Sequence, residues 1–214
     1  MHEPDARDRP AAEGSGRLRL ELVGVGAMSS PRYLPAGLLL RHPAGDVMLD
    51  GGPGAEPQSP VRRWLVTDLR SELVGTLRTL ARARGIEIVV EPYRAVDLVV
   101  TPHPVRHTNH PTWGFLIEHA GRTAVWAPEF WEFPLWAGGA DLMFADAAAW
   151  QRPIRFRGGV GGHAAVLDTA EQARRLGVGR LVFAHIGRPT IRALDAGLQP
   201  PYGELGREGA TYLL

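Results

Sequence analysis

The stretch TPHPVRHTNHPT, Thr101 to Thr112, sets His103, His107 and His110 close enough along the chain to serve as a ligand cluster for a metal ion. His103 and His107 are four residues apart, but Pro102, Pro104 and Pro111 disfavour a helix here, so they are not a helical ligand pair and read as loop histidines. A second stretch, RGGVGG at Arg157 to Gly162, precedes an expected helix. Gly158, Gly159, Gly161 and Gly162 there could offer backbone N–H groups to a phosphate, with the helix N-terminus adding partial positive charge; the same glycines also suit a plain flexible loop. The run from Phe130 to Trp136 could line an apolar substrate pocket or cover a sheet.

The composition removes several other chemistries. The chain of 214 residues has no Cys, and all 24 of its basic residues are Arg. That excludes a thiolate nucleophile, a Cys zinc site, an iron–sulfur cluster, a Schiff-base Lys and a Walker-type phosphate Lys. A net charge of +1 gives no general attraction for nucleic acid. No apolar run spans a membrane, and residues 1–16 have no apolar core of a signal peptide. They read as a disordered leader, with 17–214 as a single domain of a cytoplasmic protein.

The positioning elements follow from periodicity. Leu18 to Leu22 alternates apolar with charged, as a half-buried strand does, and the runs 36–41 and 47–49 form a hairpin about Pro43 to Asp46. Trp64 to Val66 is strand-like, and 71–84 forms an amphipathic helix with Leu73, Val74, Leu77, Leu80 and Ala81 on one stripe and Ser71 or Asp68 as its cap. Strands are expected at 86–90 and 96–101 on either side of a Pro/Tyr turn, a hairpin at 113–118 and 123–127, and a buried strand at 141–145. A helix follows at 165–176, then a last strand at 180–185 and a short helix at 190–196. His2, His42 and His119 fall in surface or turn positions.

In order and spacing, these blocks resemble the metallo-β-lactamase fold superfamily over about Leu18 to Leu214, especially its phosphodiesterases and tRNA-processing ribonucleases. GVGAMSS with LLLRHPAGDVMLDGGPG resembles the opening hairpin, whose Asp50 would buttress the metal loop. TWGFLIEHAGRTAVWAPE resembles the middle hairpin, and DTAEQARRLGVGRLVFAHIGR the last helix and strand. The resemblance implies an α/β, four-layer αββα sandwich and metal-dependent hydrolysis. It also exposes a departure: where the family reads Thr-His-x-His-x-Asp-His, this chain reads Thr67-Asp68-Leu69-Arg70-Ser71-Glu72-Leu73, a degenerate HxHxDH motif. By position His107, with His110 one residue-pattern away, supplies the third-block ligand, Glu129 replaces the bridging Asp, and His185 is the final ligand.

The resemblance therefore implies one divalent metal (Zn, Mn or Fe), or none, held by Glu72, His107, Glu129 and His185. Asp68 would assist proton transfer, His163 would touch the substrate phosphate, and Gly161, Gly162 and Arg70 would bind the substrate anion, a small molecule or phosphodiester. In a contrary arrangement Arg70 fills the vacated space and neutralises the acids, leaving a non-catalytic descendant that binds a small molecule or a partner protein.

Overall fold

A computed structural model describes residues 17–214; the leader expected at 1–16 lies outside them. Two mixed sheets face each other. The first is ordered β15 (Thr211–Leu213), β1 (Arg19–Gly24), β2 (Gly37–Arg41), β3 (Asp46–Asp50), β4 (Val61–Leu65) and β5 (Ile88–Val89). The second runs β14 (Glu204–Leu205), β13 (Arg180–Ile186), β10 (Leu142–Ala147), β9 (Arg122–Ala127), β8 (Thr112–His119), β7 (Leu98–Val105) and β6 (Tyr93–Arg94). A separate two-stranded ribbon pairs β11 (Ile154–Arg155) with β12 (Gly162–His163).

Strand alternation decides what each face touches. Leu38, Leu40, Val47 and Leu49 point inward to the core shared with Phe115, Ile117, Trp126 and Phe144, whereas Leu39 and Met48 point outward. On that outer face α1 (Val74–Arg82) buries Leu77 and Ala81 against Trp64, Val66 and Ile88. On the other sheet α2 (Val166–Arg175) packs on β10 and β13 through Val166, Ala170 and Ala173. The last helix, α3 (Arg188–Asp195), follows β13. The result is the four-layer αββα sandwich.

Several local expectations are corrected. Ser71 to Leu73 form a turn ahead of α1, whose N-cap is Leu73 with no side-chain cap bond, because the Asp68 carboxylate already accepts the Arg70 N–H at 2.7 Å. Tyr93 and Arg94 form a strand rather than a turn, and β7 runs on through both prolines to Val105. Pro102 and Pro104 are two residues apart, so their missing donors fall on one side, and β6 pairs only as far as Val100. His103 is thus a strand residue, stacked on Trp136. The strand ending at Ile186 is not the last, since β14 and β15 follow and β15 completes the first sheet beside β1.

The two sheets are tied beneath one end by Asp50, the last residue of β3. Its carboxylate accepts the Thr67 N–H at 2.7 Å, the Thr67 hydroxyl at 3.0 Å and the Trp126 Nε1–H at 2.7 Å, while its carbonyl accepts Trp64 Nε1–H at 2.7 Å. Burial pushes the Asp50 carboxyl up to about 7, against the donors that pull it down. Asp50→Ala would strand the buried Trp126 and Thr67 donors, and a loss of about 3 kcal/mol or more is expected in denaturant unfolding. A loss under about 1 kcal/mol would show that Asp50 does not tie the sheets.

Candidate active site

The carboxyl ends of parallel strands deliver most of the site. β3 and β4 bring Asp50 and the turn from Thr67 to Leu73 to one edge, and β9, β10 and β13 bring Glu129, Asp146 and His185 opposite. His185 sits where the β10–β13 register shifts, with φ 57°, so a bulge aims its ring into the cleft. The β7–β8 turn supplies His107 and His110, and the β11–β12 ribbon supplies His163.

A cleft of about 540 Å³ is lined by Asp68, Arg70, Glu72, His107, His110, Glu129, His163 and His185. Acids meet imidazoles around its wall. The Asp68 carboxylate, 6% exposed, holds His110 Nε2 at 2.9 and 3.0 Å. Glu129 lies between two rings, with Oε1 3.1 Å from His185 Nε2 and Oε2 3.7 Å from His107 Nε2. His163 Nδ1 donates to Asp146 Oδ2 at 2.7 Å, and Asp146 also accepts the Phe130 and Ala148 N–H groups.

Beside this cleft, sharing Asp68, Glu72, Glu129 and His185 with it, is a cavity of about 60 Å³ also lined by Asp50 and Leu73. A water needs roughly 10–15 Å³ measured this way, so the cavity has room for an ion and a few waters. Of the four ligands expected, Glu72, Glu129 and His185 line this cavity. His107 does not; it stands at the other Glu129 oxygen.

The four do not close into one compact donor group. Among the described residues only His42, Asp97 and His119 have donor atoms all within 4.8 Å of one another. These two histidines, expected at the surface, are 8% and 2% exposed and lie at the opposite end of the β7–β8 pair. The Ala44 N–H donates to His42 Nδ1 at 3.2 Å, so His42 Nε2 carries the proton it gives Asp97 Oδ1 at 2.7 Å; His119 Nδ1 donates to the Asp97 carbonyl at 3.1 Å. The three are close enough to share an ion, but both rings face Asp97 with N–H groups rather than lone pairs. The group acts as a clasp between β2 and the β7–β8 pair.

Gly162 does not offer its N–H to an anion. Gly162 N–H donates to the His107 carbonyl at 2.9 Å and the Gly162 carbonyl accepts His107 Nδ1 at 2.8 Å, so the glycine brackets that histidine and has no donor left for a substrate. A Cβ on Gly161 would sit 2.0 Å from the His107 oxygen, and one on Gly162 would sit 1.8 Å from the Ile154 oxygen; close approach is the need they meet. At the helix end the Val166 and Leu167 N–H groups are likewise used, by the Ala149 and Trp150 carbonyls. In the aromatic run Phe130 is core, whereas Leu135 is 73% exposed. Arg70 is no plug: it is exposed, and its guanidinium pairs with no described residue. The partner of Asp68 is His110 instead.

The charge pattern is uneven. Burial alone would raise Asp146 and Glu129, but the imidazoles outweigh it and both pKa values fall: His163 and then His185 act on Asp146, and His185, His107 and His163 on Glu129. Burial would lower His163, yet Asp146 and then Glu129 lift it to about 9; for His185 burial wins and the value falls. At neutral pH Asp146 and Glu129 are therefore anionic, His163 is cationic and His185 is neutral. Asp146 was not foreseen, although an acid inside the apolar run LMFADAAAW is itself a signal.

Residues 55–186 match the model of the beta-lactamase superfamily domain, and the chain belongs to that family. Among solved structures it is similar to the metallo-beta-lactamase fold protein YhfI from Bacillus subtilis, with a TM-score of 0.72 and 12% identity over 93% of this chain and 100% of that one. A diphosphatase from the PhnP family gives 0.69 and 16% over 93% and 98%, and the short form of human tRNase Z gives 0.62 and 15% over 91% and 98%. At these identities the likeness is one of fold. No curated sequence matches significantly.

The Asp146–His163 pair makes a pH test. His163 is raised in the folded state above its ordinary 6.5, so the stability it contributes is complete below about pH 6.5 and is lost as pH rises through about 9. Wild type should lose stability between pH 7 and 9.5 relative to His163→Gln in denaturant melts, with the His163 ring titrating near 9 by NMR. A ring titrating at its ordinary value would contradict this.

Proposed function

We propose that the chain is a metal-dependent hydrolase acting on a phosphodiester or ester with one divalent ion, held by Glu129 and His185, already 3.1 Å apart, and by Glu72 once its side chain closes on them, with His107 beside Glu129. The observation that carries this reading is the small cavity between those groups, together with the charge around it. The acids there exceed the positive charge that His163 supplies, and clustered carboxylates call for a cation. Two carboxylates and one imidazole suit Zn, Mn or Fe. A divalent ion there would supply Lewis acidity and acidify water for the attack.

The chain's own residues do the rest. Asp146 orients His163 and keeps it cationic, so its Nε2–H can meet negative charge growing on the substrate. Asp68 holds His110 Nε2 on the cleft wall, a carboxylate–imidazole pair able to carry a proton to or from the reacting group. His107 donates Nδ1–H to the Gly162 carbonyl, which fixes the ring and turns Nε2 toward Glu129.

A second reading has its own support. The position of the first motif ligand is closed, because Asp68 is engaged by both His110 and the Arg70 N–H. A descendant that only binds a small molecule or a partner protein would keep such pairs without turnover.

Two measurements separate the readings. Elemental analysis of protein purified without chelators or affinity-tag metals should find one equivalent of divalent metal, lost in Glu129→Ala and His185→Ala; two tightly held ions, or none, would overturn the proposal. Replacing Asp68→His, Arg70→His, Glu72→Asp and Leu73→His together should restore two-metal binding and faster hydrolysis of bis-p-nitrophenyl phosphate, since Thr67 and Asp50 remain in place. A folded variant that binds no added metal would show that the turn from Thr67 to Leu73 is not the metal loop.

A further inference from the structure

Once the acid–imidazole pairs of the cleft are formed, the charges left on residues that line it are the carboxylates of Glu72 and Glu129 and the guanidinia of Arg70 and Arg188. Neither guanidinium makes an ion pair or hydrogen bond with any described residue. Their surroundings make this notable: Arg32, on the loop after β1, is tied at 2.9 Å to both oxygens of Asp195 at the far end of α3, while Arg188 in the first turn of α3 is left open to the cleft. The two arginines also come from opposite sides. Arg70 rides on the turn after β4 in the first sheet, and Arg188 follows β13 in the second, and both line the one cleft with His163.

We propose that Arg70 and Arg188 form a two-sided clamp for a phosphate group of the substrate that is not the bond under attack, so that the substrate is a phosphorylated small molecule carrying at least two negative charges. Phosphate fits better than carboxylate. One guanidinium fork saturates a carboxylate edge, whereas a terminal phosphate has three peripheral oxygens and accepts forks from two directions. A cleft of about 540 Å³ takes a ligand of nucleotide or sugar-phosphate size, which leaves length for a second group to reach Glu129 and His163. This deepens the hydrolase reading and rests on it for the reacting end, but the clamp itself needs neither metal nor turnover.

The test uses the full chain freed of metal by chelator and then dialysed, with inorganic pyrophosphate and succinate as probes in isothermal titration calorimetry. Wild type should bind pyrophosphate, about tenfold or more tighter than succinate, with affinity falling as salt rises. Arg188→Gln and Arg70→Gln should each weaken pyrophosphate about tenfold at unchanged melting temperature, and Arg188→Lys should recover only part of the loss. Absence of wild-type binding, equal affinity for succinate, or Gln variants that bind like wild type would each overturn the clamp. Because no metal or reaction enters this measurement, its failure leaves the hydrolase proposal standing. A chain that binds pyrophosphate as expected yet holds no metal would sink the hydrolase proposal and leave the clamp.

Discussion

Everything at the cleft hangs from the Asp50 carboxylate. It is the point where the turn after β4 and the indole of Trp126 on β9 share one acceptor: two bonds from Thr67 hold the turn to β3, and the third, from Trp126, crosses to the facing sheet, so the sheets cannot slide without breaking it. The turn it pins carries Asp68, Arg70 and Glu72, and the strand it pins leads straight to Glu129. Each side of the cleft is therefore referenced to the same buried group, which is how side chains far apart in sequence keep a fixed spacing.

The cleft differs from the histidine-rich arrangement that the resemblance implies in its charge logic. Every histidine around it except His107 has a carboxylate within about 3 Å, a distance at which the two partners form charge-assisted hydrogen bonds. On the Thr67–Leu73 turn one acid, Asp68, stands where the family pattern has a histidine, and His110 from the facing turn answers it. Such a wall remains polar and ordered without ions along its whole length, while the side lined by Glu72 and Glu129 stays anionic.

Layer order, both main hairpins and the first two helices were legible in the sequence, because each rests on local periodicity: Leu18 to Leu22 at period two, Leu73 to Ala81 at the helical period. Asp50, Glu129 and His185 could be placed because they stand at or just past the ends of strands in a recognisable order, whereas His163 was placed by the resemblance alone. What could not be read was pairing. His110 with Asp68, His163 with Asp146, and His42 with Asp97 join residues from separate elements, and nothing local to a histidine tells whether an acid will face it. The short strands β11, β12, β14 and β15 were missed for the same reason, since they exist only through a neighbour. The glycines at 161 and 162 were noticed, but their role depended on a backbone segment, at His107, that packs against them only after folding.

Among the described residues four that are not glycine adopt positive φ: Ser29, Asp50, Ala120 and His185. Ala120 belongs to the β8–β9 hairpin turn, but the other three all line the cleft or its small cavity. A left-handed residue with a side chain costs about 1–3 kcal/mol, and glycine at the same point would remove that cost. In this chain serine, aspartate and histidine occupy those points, so the conformational debt of the described residues is concentrated where the pocket is.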